Sequence, residues 1–170
     1  MTELETAIAD NKAAVEEFIA AARAVDPSAW HTPRREGAWS RAQIAEHLAI
    51  VYEFNRKVLA GTAPGLPALL RPILQPLLRR MVVTNTLKAG GFTRKGRAPG
   101  IFQPSATPAD ATQVLARLTS AVRGFEADIR SRPRGDGTIL HPAFGRIGIA
   151  DWVRIQAIHA RHHRNQVTST

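Results

Sequence analysis

Four long stretches of this chain repeat apolar residues at helical spacing, and that repetition restricts its fold more than any other feature. Over residues 3–25 the repeat is Leu4, Ile8, Val15, Phe18, Ile19 and Ala22, with acidic residues early and Asp26-Pro27 as the stop. A second helix is expected from about 40 to 60. Ser40 and Gln43 form its capping box and Gly61 ends it. A third opens at Thr107-Pro108 and carries Val114, Leu115, Leu118, Val122, Phe125 and Ile129, ending at SRPRGDG. A fourth runs from about 149 to 167. One-sided apolar helices must bury those faces against each other. The expected fold is all-α: an up-down four-helix bundle forming one domain over residues 1–170.

The second and third helices are joined by an unusually long connection, residues 61–107. Its ends, GTAPGLP and GGFTRKGRAPGIFQPSATP, read as loops, and its middle, LPALLRPILQPLLRRMVVTNTLK, as short amphipathic helices interrupted at prolines. HPAFGRIG, before the last helix, reads as a structured loop.

The net charge of +9 is concentrated in that connection and the end of the helix before it. No acidic residue occurs between Glu53 and Asp110, while Arg56, Lys57, Arg71, Arg79, Arg80, Lys88, Arg94, Lys95 and Arg97 do. The rest of the chain is neutral. A local excess suggests an anion-facing surface, with Arg79, Arg80, Arg94, Lys95 and Arg97 as candidate anion-binding residues. A solvated basic loop is the alternative. Nucleic acid is not expected, because no reader motif or stacking array accompanies the charge.

Cysteine is absent, which excludes disulfides, thiolate metal sites and a cysteine nucleophile. With an acidic N-terminus lacking an apolar signal core, the chain is expected in the cytoplasm. Prolines and arginines interrupt the longest apolar region, Leu66 to Val83, so no membrane span is expected.

The candidate chemistry lies in histidines. In IQAIHARHHRNQV, His159 and His163 are four residues apart, one turn on one helical face. At about 100° per residue they fall in the arc of Ile149 and Trp152, with Gln166, whereas His162 falls on the flank. In WSRAQIAEHLAIVYEF, His47 falls in the arc of Ile44, Val51, Phe54 and Val58. Buried imidazoles need partners, so either hydrogen bonds in the core or a shared metal ion satisfies them. All-nitrogen ligation favours zinc, then nickel, cobalt or iron(II), and three ligands leave positions open for water or substrate. Such an ion could activate water or an incoming thiol. Gln166 is a candidate to orient a ligand imidazole. His141 is a candidate to stand near the metal or to cap the last helix, or is simply a turn residue before Pro142. Glu46 and Tyr52 point away from His47 and are assigned no chemistry.

WSRAQIAEHL and HARHHRNQ resemble the two histidine motifs of the DinB/YfiT-like superfamily, and HPAFGRIGIADW resembles the HPxFG segment of one of its branches. The resemblance covers residues 1–60 and 108–167. It implies a four-helix bundle with a metal at one end, held by His47, His159 and His163, and a homodimer. Characterised relatives are metal-dependent transferases or isomerases that use low-molecular-weight thiols such as bacillithiol, mycothiol or glutathione; many members have no assigned activity. The expected function is a metal- and thiol-dependent transferase acting on small electrophiles. The competing expectation is a non-catalytic small-ligand-binding or stress-response bundle with an anion-facing surface.

Overall fold

A computed structural model describes residues 1–92, 98–132 and 137–169. Four long helices form the body: α1 (Glu3–Arg23), α2 (Arg41–Leu59), α5 (Ala111–Arg130) and α6 (Ile149–Thr168). The connection holds α3 (Arg71–Leu78), a π-helical segment (Arg79–Thr84) and α4 (Asn85–Ala89). The all-α bundle read from the repeats is present, with one small sheet added.

The ends of α2 follow local chemistry. Ser40 Oγ accepts from Gln43 N while Gln43 Oε1 accepts from Ser40 N, so the capping box is reciprocal. The third long helix starts later than the sequence reading. Asp110, not Thr107, is its N-cap, its carboxylate accepting from Gln113 N at 2.9 Å. Both residue types cap helices, Asp somewhat better than Thr, and Asp110 stands in extended geometry at the helix edge.

Helix direction follows from the ion pairs. Glu3, Asp10 and Glu17 of α1 meet Arg154, Arg161 and Arg164 of α6 in ascending order, so these helices run parallel. Glu46 of α2 meets Arg117 of α5, and Arg56 meets Asp128, again in parallel. Glu5 meets Arg130, making α1 and α5 antiparallel. Arg41 Nε donates to Val167 O, which opposes α2 and α6. The chain therefore runs up, down, down, up, so the strict up-down alternation expected from the sequence is broken between α2 and α5. A parallel pair cannot be closed by a short turn, which gives the long connection between α2 and α5 a structural purpose: it carries the chain back across the bundle.

HPAFGRIG is more than the expected loop. It belongs to a two-stranded antiparallel hairpin, β1 (Thr138–His141) and β2 (Gly145–Gly148), with Ile139 paired to Ile147 on the buried face. Gly145, at φ +70°, makes the turn. Strands of four residues carry too little alternation to stand out beside helical repeats. The core between the helices centres on Phe18, Leu48, Tyr52, Leu118, Phe125 and Trp152. Among the described residues no helix is long and apolar enough to cross a membrane.

Candidate metal centre

His47 lies on α2, and His159 and His163 lie one turn apart on α6. Because α2 and α6 are antiparallel, the first half of α2 meets the last half of α6, and the three imidazoles converge there. Their ligand atoms lie within 4.8 Å of one another, so the cluster could hold a metal ion. His159 Nε2 is 2.9 Å from His163 Nε2 and 3.3 Å from His47 Nε2.

The surroundings decide which nitrogen each ring presents. His47 Nδ1 is 2.7 Å from Phe102 O, an acceptor only, so Nδ1 carries the proton and Nε2 presents its lone pair inward. His163 Nδ1 donates to Gln166 Oε1 at 2.8 Å, which turns its Nε2 inward as well. The amide of Gln166 also donates to His162 Nε2 at 3.0 Å, fixing its orientation. His159 can donate one Nε2 proton at most, so it satisfies one neighbour and leaves the other facing it unsatisfied. Hydrogen bonds alone therefore cannot complete the cluster. A cation bound by all three lone pairs would complete it.

The spacing fits that cation. With metal–nitrogen bonds of about 2.0–2.1 Å, ligands at a tetrahedral angle stand about 3.3 Å apart, and at a right angle about 2.9 Å. Two of the three separations match those values, and the third pair, His47 and His163, lies within 4.8 Å. Burial also favours the ligating, neutral form. Desolvation and the neighbouring imidazoles push His159 well below the usual histidine range. The same causes, desolvation foremost, bring His163 down to about 3. Desolvation lowers His47 against the opposing bond to Phe102.

The cluster is roofed by rings. Trp39 stands 4.9 Å from His47 by ring centroid, and Phe92 stands 5.6 Å from His159 and 5.4 Å from His162. Phe102, whose carbonyl orients His47, packs its own ring on Phe54 at 4.9 Å. The long connection thus supplies both Phe92 and Phe102 to the site, a role the sequence did not disclose. A backbone carbonyl leaves no side-chain signature, and nothing in a Gly- and Pro-rich loop says which way its aromatic rings will face.

His141 stands apart from the triad. It is buried against Phe144, stacked at 4.3 Å, and Trp152, and its Nδ1 accepts from Ala143 N. That is the turn role; the cap of α6 is Gly148, without a side-chain bond. Glu46 accepts from Ser105 N and Oγ and pairs with Arg117, so its carboxylate faces away from the imidazoles. Tyr52 donates to Asn11 Oδ1 at 2.6 Å inside the core, and burial pushes its phenol up. Among the anion-binding candidates, Arg79 donates to Arg146 O on the hairpin and Arg80 is exposed, while Arg94, Lys95 and Arg97 fall outside the described residues.

Fold and site together define a helical bundle carrying a buried three-imidazole cluster between two antiparallel helices. The chain belongs to the family described as "Protein of unknown function (DUF1569)", which matches residues 7–170. It is also similar to a solved structure described as "Crystal structure of TT2238, a four-helix bundle protein". The two share 23% sequence identity with a TM-score of 0.60, covering 98% of this chain and 99% of that one. That likeness supports the fold. No curated protein matches the chain.

Proposed function

We propose that this chain is a DinB/YfiT-like, metal-dependent cytoplasmic enzyme that transfers a low-molecular-weight thiol to small electrophilic molecules. The observation that carries the reading is the inward convergence of three Nε2 lone pairs that hydrogen bonds cannot satisfy together. His47, His159 and His163 would hold the ion, zinc first by ligand type and nickel or iron(II) next. A bound ion would supply Lewis acidity that favours the thiolate over the thiol.

The chain's own residues supply the remaining parts. Phe102 O and Gln166 hold His47 and His163 in the ligating tautomers. Trp39 and Phe92 shield the site from bulk water and offer apolar surface to an electrophile. Among the described residues no carboxylate joins the three imidazoles as a ligand. A thiol ionises more readily than water, which favours it as the nucleophile.

The test is thiol consumption. Metal-loaded protein is mixed with glutathione, mycothiol or bacillithiol and a small alkyl halide, and thiol loss is followed against protein blanks. The expected rate depends on metal and disappears in His159→Ala. The absence of a metal-dependent rate with all three thiols would reject the transferase reading.

A further inference from the structure

We propose that the outer face of α3 and the turn before it docks this protein on an anionic phospholipid surface. This goes beyond the reaction at the histidines and does not depend on it. Leu69, Ile73 and Leu77 recur every fourth residue and are 91%, 72% and 51% exposed, with Leu70 exposed beside them. The other side of the segment holds it to the body: Gln75 Nε2 donates to Pro142 O on the hairpin, and Leu74 and Leu78 are half-buried. The orientation is thus fixed, and it points aliphatic side chains at solvent.

Charge identifies the occupant. Arg71 lies within the ridge segment in sequence, Arg79, Arg80 and Lys88 follow it, and all four are exposed. None forms an ion pair among the described residues. Arg71 and Arg79 donate to the backbone carbonyls of Leu66 and Arg146, which position them without neutralising them. A second copy docking through the same face would bring the same cations against each other. A protein groove fits less well, because the ridge is one short convex helix with no Trp, Tyr or Phe anchor. A bilayer accepts a convex aliphatic ridge, and anionic headgroups match the flanking cations. With so few apolar residues the attachment is reversible and salt-sensitive.

The experiment is flotation of the full-length protein with phosphatidylcholine vesicles, with and without about 30% phosphatidylglycerol, at low and at about 0.5 M salt. Binding is expected only to the anionic vesicles, weakening as salt rises. Leu69→Asp with Ile73→Asp is expected to lower the partition at least about tenfold, and Arg80→Gln with Lys88→Gln to lower it as well. Circular dichroism checks that the exposed substitutions leave the bundle folded. Failure to bind anionic vesicles overturns the proposal. So does binding unchanged by the aspartates, which would be adhesion by charge alone. A dimer that the aspartates dissociate, seen by light scattering without vesicle binding, would assign the face to a second copy instead.

Discussion

Replacing Gln166 by leucine tests whether the polar partner of a ligand imidazole matters as the geometry requires. In the wild-type chain Gln166 Oε1 accepts from His163 Nδ1 at 2.8 Å and its amide donates to His162 Nε2 at 3.0 Å. Leucine keeps the bulk and removes both bonds, leaving the Nδ1–H of His163 buried without an acceptor. An orphaned buried donor costs about 1–3 kcal/mol. Loss of a hydrogen bond behind a metal-bound histidine weakens metal affinity about 10–100-fold, or about 1.4–2.8 kcal/mol. The two scales agree, so zinc affinity measured against a chromophoric chelator is expected to fall by that factor. Gln166→Glu is the control: its carboxylate still accepts from His163 and is expected to restore most of the affinity. Equal affinity in wild type and Gln166→Leu would refute the claim that Gln166 orients His163 for a metal.

Further expectations concern stability. Tyr52→Phe removes the donor to buried Asn11 and is expected to lower unfolding free energy by about 1–3 kcal/mol in urea titrations, with metal affinity unchanged. Ser40→Ala breaks the capping box of α2 and is expected to cost about 1 kcal/mol in the same assay. In metal-free protein, burial holds His47, His141, His159 and His163 below their unfolded values, with His141 at about 4 and His163 at about 3. The unfolded chain therefore takes up protons first. Stability is fully present above about pH 6.5 and falls as pH drops toward the folded values, by up to about 1.4 kcal/mol per pH unit for each histidine. Urea midpoints that stay flat or rise between neutral pH and pH 5 would contradict this.

The four long helices were legible because their apolar repeats exceed four turns and their caps are local chemistry, as at Ser40 and Gln43. The inward set was legible for a related reason: one turn on a helix separates His159 and His163 from flanking His162, and the structure joins the first two at the cluster. What joins distant segments was not legible. Nothing local announces that Phe102 O will meet His47, that Phe92 will cover His159, or that α2 and α5 will run parallel. The hairpin escaped because four-residue strands give too few alternations. Asp110 displaced Thr107 as cap because both residue types signal a helix start, and only the backbone chooses between them.

Whether the three imidazoles hold a metal ion is decided by elemental analysis of protein purified without a histidine tag. About one divalent ion per chain is expected, lost in His159→Ala while the helical spectrum is kept. Less than about 0.2 ion per chain, unchanged in His159→Ala, would contradict the metal site.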